Sequence, residues 1–333
     1  MLILLIRFAY ALLACVAVLF ELVPWTREAF VKYGKTRSKP PSHSNEHVND
    51  GVLTLFSHIT VKKNHFAHFY TVGTLINALL AIDIVNWVNA PNSTEPLYTE
   101  THPLWSLLRY CIALDAEYFG DGGGIHAMFP SSFALLALSM YGLHVLVRLK
   151  ESLCDQPASD ARIHIGQLGV GLIFYVITPF AVIIDSCYEG SSWQPTPPWL
   201  VVIGLATYVY ASLHQWRCHH ILYRLRQQAI SRYFDTRAGT VSNRSACGKM
   251  NRVYVIPQGD LFDYVSNPHY FCEILVYISI WSITNFQAST LLSTLIWTII
   301  NLGITSRESH RWYFKTFSTQ YPHNRHALVP FIW

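Results

Sequence analysis

The stretch that decides the fold is residues 164–186, which read HIGQLGVGLIFYVITPFAVIIDS. It contains one acidic side chain, Asp185, and no lysine or arginine. About 20 such residues in an α-helix cross the ~30 Å hydrocarbon core of a bilayer. Similar apolar stretches occupy residues 2–23, 66–88, 125–147, 199–213, 271–286 and 289–304. The sequence therefore predicts an all-α, polytopic membrane protein with about seven transmembrane helices.

The overall composition agrees with this prediction. Of the 333 residues, 51% are hydrophobic and only 13% are charged, whereas soluble domains carry about 25% charged residues. This excludes a disordered protein or a coiled coil and disfavours a soluble enzyme. The seven cysteines contain no CxxC pair, so neither a disulfide framework nor a metal site is predicted. No nucleic-acid partner is predicted either.

The basic residues predict how the helices cross the membrane. Of the 24 lysines and arginines, 22 lie in residues 27–63, 148–162, 217–252 and after 304. The connections at residues 89–102, 187–198 and 284–288 contain none. Cytosolic loops are enriched in lysine and arginine, so we expect a lumenal N-terminus and a cytosolic C-terminus. The glycosylation sequons at Asn92 and Asn243 then fall on opposite sides, and only Asn92 is expected to be modifiable.

Residues 104–119 are apolar but less uniformly so. They carry Arg109, Asp115 and Glu117, and charged groups at membrane depth are costly. We interpret this segment as a half-span or an interfacial helix.

A basic segment continues from the fifth apolar stretch. If it stays helical, Gln215, His219 and Arg226 recur at helical spacing and share one face. An amide, an imidazole and a guanidinium suit a ribose and a phosphate. The alternative is a basic juxtamembrane helix attracted to anionic lipid.

Two further clusters lie towards the C-terminus. His269 and Glu273 are four residues apart, and Glu273 lies inside an apolar stretch, where a carboxylate needs either an arginine partner or a ligand. Arg307, His310 and Tyr313 follow the last stretch at similar spacing, although an interfacial aromatic belt alone would explain Tyr313. The apolar final residues predict a tail that folds back on the bundle or the interface.

These motifs resemble a known family. Residues 256–259 (IPQG), 264–266 (YVS), Glu273 and the ending 321–332 (YPHNRHALVPFI) resemble the steroid 5α-reductase family. Residues 33–36 (YGKT), 66–70 (FAHFY) and 214–219 (HQWRCH) are similar to its polyprenol reductase branch.

The resemblance implies a seven-helix fold in the endoplasmic reticulum membrane. Residues 1–199 would form much of the substrate cavity, and residues 200–333 would form the NADPH pocket of one integrated domain. The cofactor-binding residues it implies are Gln215, His219, Arg226, His269, Tyr270, Glu273, Arg307, His310, Tyr313 and Arg325.

The resemblance also implies hydride transfer to a carbon–carbon double bond. An isolated allylic alcohol is not electrophilic, so we hypothesise that the acceptor is polyprenal rather than polyprenol, on the route to dolichol for protein N-glycosylation. The donors to its oxygen would be His269, Tyr270 or, on the substrate side, Glu117.

Three alternatives remain. The substrate tyrosine of steroid 5α-reductases falls near Val145 here, which disfavours a steroid. A trans-2-enoyl-CoA reductase would need an extra basic surface. A non-enzymatic lipid-binding scaffold would predict paired discontinuous spans related by a repeat.

Overall fold

Helices make up most of the described chain. The computed structural model describes residues 2–23, 26–27, 59–62, 65–89, 103–119, 130–155, 162–189, 193–238 and 254–332. Asn92, Asn243 and residues 33–36 lie outside these ranges. Glu117 lies on a described helix, but its side chain is outside the described part.

Within those ranges the chain forms eight α-helices and one short β ribbon. The elements are α1 (Leu2–Leu22), β1 (Thr60–Lys62), α2 (Phe66–Val88), α3 (Pro103–Phe119), α4 (Ser132–Lys150), β2 (Arg162–His164), α5 (Ile165–Glu189), α6 (Pro198–Ala238), α7 (Pro268–Ile283) and α8 (Ser289–Phe317). A π-helical turn, Glu151–Asp155, extends α4. The helical fold predicted from the sequence is confirmed, and the described residues add the short ribbon and one isolated β-bridge between Val265 and His326.

Five of these helices are long and apolar enough to cross a bilayer. They are Leu2–Leu22, Phe66–Val88, Ser132–Asp155, Ile165–Cys187 and Ser289–Gln320. The other two predicted stretches, residues 199–213 and 271–286, lie on α6 and α7. α7 has only 16 residues, and the 41-residue α6 continues into its basic half without a break. The structure therefore describes a polytopic helical membrane protein.

The β ribbon links two connections that were predicted to lie on the same side of the membrane. β1 pairs antiparallel with β2, with Val61 opposite Ile163. β1 belongs to the basic segment 27–63, and β2 ends the basic segment 148–162. Because paired strands lie about 5 Å apart, these two segments meet at one end of the bundle, as the alternating arrangement of basic loops requires.

α6 and α7 approach each other closely. A Cβ atom on Gly204 of α6 would lie 2.6 Å from Ser282 Oγ and 2.9 Å from Ile283 Cδ1 of α7. Glycine therefore lets the two helices pack along much of the length of α7. This contact positions the polar half of α6 beside the start of α7.

The opposite end of the bundle is tied by a buried carboxylate. Asp185 on α5 accepts hydrogen bonds from the backbone N–H of Thr290 at 2.6 Å and from its hydroxyl at 2.7 Å. Arg7 on α1 donates to the same carboxylate at 2.9 Å. An acidic side chain at a helix N-terminus satisfies free N–H groups and the helix dipole. Asp185 thus connects α1, α5 and the first turn of α8.

α3 begins against α2. The carboxylate of Asp83 accepts from the backbone N–H groups of Leu104, at 2.9 Å, and Trp105, at 3.3 Å. α3 has 17 residues, so the half-span or interfacial placement of residues 104–119 stays a prediction.

Candidate active site

Glu273 is held between α4 and α6 by two polar side chains. Gln215 Nε2 donates to its carboxylate at 2.5 Å, and His144 Nε2 lies 3.1 Å from the other oxygen. Gln215 Nε2 also lies 3.3 Å from the carbonyl oxygen of His269. We call His144, Gln215 and Glu273 the carboxylate cluster. Among the described residues its two hydrogen-bond partners are an imidazole and an amide, and no arginine there forms a salt bridge with this carboxylate.

A second group surrounds Arg148 at the end of α4. Its guanidinium donates to the hydroxyl of Tyr70 on α2 at 3.2 Å and pairs with Glu151 in the following turn. His219 Nδ1 on α6 lies 2.7 Å from Arg148 Nη1 and 3.0 Å from Glu151 Oε2. We call Tyr70, Arg148, Glu151 and His219 the arginine cluster. A buried guanidinium needs this kind of enclosure, because its charge has lost most of its water.

The two clusters meet where α6 lies against α7. The ring of His269 is 5.3 Å from that of His219 and 4.2 Å from that of Tyr270, measured between centroids. The helical spacing of Gln215 and His219 is confirmed, because α6 continues through both residues. The structure therefore brings together Gln215, His219, His269, Tyr270 and Glu273.

The remaining predicted residues lie mainly around the C-terminal tail. Ser266 Oγ lies 2.5 Å from His310 Nδ1 on α8 and 2.6 Å from the Tyr321 hydroxyl. We call Ser266, His310 and Tyr321 the tail cluster. Burial raises the pKa of the Tyr321 phenol above its usual value, so this hydroxyl stays protonated at neutral pH.

Backbone hydrogen bonds hold the tail in place, as the apolar ending predicted. His326 and Val265 form a parallel β-bridge. In addition, the side-chain Nδ2 of Asn267 donates to the carbonyl oxygens of Ser306 on α8 and Ala327 in the tail, both at 3.1 Å. The last described residues, Phe331 and Ile332, remain 77% and 79% exposed, which suits contact with a membrane surface.

Arg325, Tyr313 and Arg226 lie beside the tail cluster. Arg325 Nη1 donates to the carbonyl of Pro257 at 2.8 Å, and its guanidinium sits 5.5 Å from the centroid of the Tyr321 ring. Tyr313 stacks on Tyr321 with centroids 5.3 Å apart. Arg226 and Arg325 are both within electrostatic range of the Tyr313 hydroxyl. Arg226 on α6 and Arg325 in the C-terminal tail therefore both lie near the tail cluster.

Arg307 points elsewhere. It pairs with Glu21 on α1, while Arg27 and Arg311 pair with Glu308. The sequence spacing predicted that Arg307 lies with His310, but in the structure Arg307 pairs with the carboxylate of Glu21 on α1. Its described contacts join α1 to α8.

Sequence reasoning did not single out His144, Arg148, Glu151, Ser266 or Tyr321 as site residues. One signal was available, because His144, Arg148 and Glu151 recur at intervals of four and three along α4 and its terminal turn. Ser266 and Tyr321 were noted only within motifs, and their contact with His310 joins segments 44 and 55 residues apart in the chain.

Comparison with known proteins shows which proteins this chain resembles. Residues 173–333 match the family described as 3-oxo-5-alpha-steroid 4-dehydrogenase. The chain is 28% identical over 338 aligned residues to polyprenal reductase 2 of Oryza sativa subsp. japonica, covering 91% of this chain and 87% of that protein. It is 29% identical to polyprenal reductase of Homo sapiens, covering 91% and 85%. Polyprenal reductase 2 of Arabidopsis thaliana is 26% identical, covering 82% and 83%.

The matched region contains α6, α7, α8 and the tail, which carry most of the residues just described. The matched region also includes about two thirds of α5. Residues 173–333 are thus similar to the 3-oxo-5-alpha-steroid 4-dehydrogenase family, and this similarity together with the relatives named polyprenal reductase indicates an oxidoreductase that acts on a carbon–carbon double bond.

Proposed function

We propose that this protein reduces the α-isoprene double bond of polyprenal with NADPH, on the route to dolichol. One observation carries the proposal: a buried polar site, built from α4, α6 and α7, lies within a bundle of apolar helices. Such a site suits a reactive polar head on a long apolar chain. The relatives named polyprenal reductase, which align with about nine-tenths of the chain, support this substrate class.

The donor chemistry of the site fits NADPH. Arg226 and Arg325 supply cations for phosphate groups, and the tail cluster supplies hydroxyl and imidazole groups for ribose. Gln215, His219, His269, Tyr270 and Glu273 would hold the nicotinamide end. When bound, NADPH supplies the hydride that adds to C3, and a proton from solvent adds to C2, so that polyprenal, NADPH and one proton give the saturated aldehyde and NADP⁺.

The protein must polarise the substrate oxygen for this reaction. Negative charge develops on that oxygen as C3 is reduced, and a fixed hydrogen-bond donor stabilises it. His269 and Tyr270 lie beside the carboxylate cluster and are the donors suggested by the sequence, with Glu117 a third candidate on the substrate side. Among the described residues, the carboxylate cluster would orient His269, because the Gln215 side chain donates a hydrogen bond to the His269 carbonyl oxygen.

The substrate requires access from the bilayer. A polyisoprenoid is too long for a closed pocket, so a lateral opening between helices is expected, with the reactive head near the cytosolic leaflet. We propose seven spans, a lumenal N-terminus, a cytosolic C-terminus and residence in the endoplasmic reticulum. After a separate reduction of its aldehyde group to the alcohol, the product would feed the lipid carrier for protein N-glycosylation.

Purified protein in detergent–lipid micelles tests the activity directly. Deuteride-labelled NADPH is offered with polyprenal, polyprenol, a 3-oxo-Δ4 steroid or a trans-2-enoyl-CoA, and the products are analysed by mass spectrometry. Deuterium at C3 of polyprenal alone is the expected result. Direct labelling of polyprenol would overturn the aldehyde hypothesis, and labelling of the steroid or the thioester would favour that activity instead. No label in any product would favour a lipid-binding scaffold.

A further inference from the structure

Tyr277 carries a hydroxyl that the fold leaves unsatisfied. The residue lies on α7, one turn after Glu273, and its side chain is 0% exposed. Its hydroxyl has no hydrogen-bond partner among the described residues. Buried hydroxyls in proteins nearly always have a partner, and one that lacks it points to a functional role or to a group that binds there.

Other buried tyrosines on neighbouring helices do have partners. The hydroxyl of Tyr208 on α6 donates to the carbonyl oxygen of Met140 at 2.8 Å. The hydroxyl of Tyr10 on α1 lies 3.0 Å from Thr178 Oγ1. The fold therefore satisfies some buried tyrosines of this bundle, whereas the hydroxyls of Tyr277 and of the neighbouring Tyr141 have no hydrogen-bond partner among the described residues.

The surroundings of Tyr277 join the carboxylate cluster to the apolar core. Its ring centroid lies 6.2 Å from that of His144, in an edge-to-face arrangement, and His144 binds Glu273 through Nε2. On its other sides lie the rings of Tyr141, at 6.4 Å, and Phe174, at 6.1 Å. A hydroxyl among buried aromatic rings is in a low-dielectric environment, where a hydrogen bond to a charged oxygen is stronger than in water.

We propose that the Tyr277 hydroxyl donates a hydrogen bond to the aldehyde oxygen of the polyisoprenoid substrate and stabilises the negative charge that develops on it. This inference rests on the proposed function. Tyr277 lies about two turns deeper along α7 than His269 and Tyr270. The aromatic lining suits an isoprene unit, while Glu273 and His144 mark the polar end of the same region.

Replacing Tyr277 with phenylalanine gives a sharp test, because the ring is kept and only the unsatisfied hydroxyl is lost. Four quantities are compared with wild type: thermal stability in micelles, NADPH affinity, the turnover number for polyprenal, and the carbonyl stretching frequency of bound [1-¹³C]polyprenal. The carbonyl stretching frequency is measured by difference infrared spectroscopy in the absence of cofactor. We expect stability to be unchanged or higher and NADPH affinity to be unchanged. In wild type the hydrogen bond from Tyr277 should shift the carbonyl stretch to lower frequency, and the variant should lack this shift. Turnover should fall by about 10²–10³-fold.

Tyr208→Phe is the matched control, because it removes a hydroxyl that already has a protein partner. It should lower thermal stability, keep the carbonyl shift and keep wild-type turnover. Tyr270→Phe distinguishes the donors: loss of the carbonyl shift in that variant, with the shift retained in Tyr277→Phe, would overturn the assignment to Tyr277.

Three further results would contradict the inference in different ways. If Tyr277→Phe loses stability, NADPH affinity and turnover together, the hydroxyl has a structural role. If Tyr277→Phe keeps both the carbonyl shift and the turnover, the inference fails while the proposed function stands. If wild-type protein neither shifts the carbonyl stretch nor reduces polyprenal, the proposed function fails and the inference fails with it.

Discussion

The amide of Gln215 on α6 donates a 2.5 Å hydrogen bond to the carboxylate of Glu273 on α7. These residues are 58 positions apart in the sequence, and the close approach of α6 and α7 at Gly204 allows them to meet. The bond joins the helix that carries His219 to the helix that carries His269. It therefore sets the relative position of the groups proposed to hold the nicotinamide end of the cofactor.

Glu273→Gln should weaken NADPH binding with little change in shape. An amide still accepts a hydrogen bond from Gln215, but hydrogen bonds to charged groups contribute about 1.5–3 kcal/mol and neutral ones about 0.5–1.5 kcal/mol. A loss of about 1.4 kcal/mol corresponds to a tenfold weaker NADPH affinity, measured by titration of purified protein. Asp83→Asn, at the start of α3, is the control and should bind NADPH normally. If Glu273→Gln binds NADPH with wild-type affinity, Glu273 does not contribute to the cofactor site.

Arg148→Met should destabilise the protein by about 3–5 kcal/mol, because it leaves the Glu151 carboxylate buried without its cation. The double variant Arg148→Met/Glu151→Gln should recover part of this loss, since the uncompensated charge is then gone. Thermal and denaturant unfolding in micelles measure Arg148→Met, Glu151→Gln and the double variant. Simple addition of the two single effects would mean that Arg148 and Glu151 are not energetically coupled.

Gly204→Ala should destabilise the folded protein more than Gly169→Ala does. The new Cβ at position 204 meets Ser282 Oγ at 2.6 Å, so α6 and α7 must separate, and overpacking of this kind costs about 1–3 kcal/mol. At Gly169 on α5 nothing lies within 4 Å of the added Cβ. There alanine should be neutral or stabilising by up to about 1 kcal/mol through helix propensity. Equal melting temperatures for the two variants would contradict the packing described for α6 and α7.

The proposed topology predicts which sequon is glycosylated. Residues 89–102 contain Asn92 and no basic residue, whereas residues 217–252 contain Asn243 and eight basic residues. Protein made in microsomes should therefore lose a glycosidase-sensitive mass shift on Asn92→Gln and keep it on Asn243→Gln. Modification of Asn243 would reverse the predicted orientation. If neither asparagine is modified in the wild type, a sequon inserted after residue 190 should be modified and one inserted after residue 240 should not.

Much of the fold could be predicted because its determinants are local. In a bilayer every backbone polar group must be satisfied within the segment itself, so an apolar stretch of about 20 residues has to be a helix. Residues 164–186 illustrate this: helix α5 begins at Ile165, one residue later than the predicted stretch. The shared helix face of Gln215 and His219 was likewise predictable, because helical spacing depends only on sequence separation.

The partners of the polar side chains were decided by tertiary structure. The sequence by itself determined that Glu273 lies in an apolar helix and needs a partner. Only the packing of α4 and α6 against α7 decided that the partners are His144 and Gln215. In the same way, the sequence spacing predicted that Arg307 lies beside His310, but in the structure Arg307 forms an ion pair with Glu21 on the neighbouring helix α1. Hydrogen bonds and ion pairs act over about 3–4 Å, and which groups come that close depends on which helices are neighbours. The unsatisfied hydroxyl of Tyr277 has the same origin, because a buried group lacks a partner only in relation to everything packed around it.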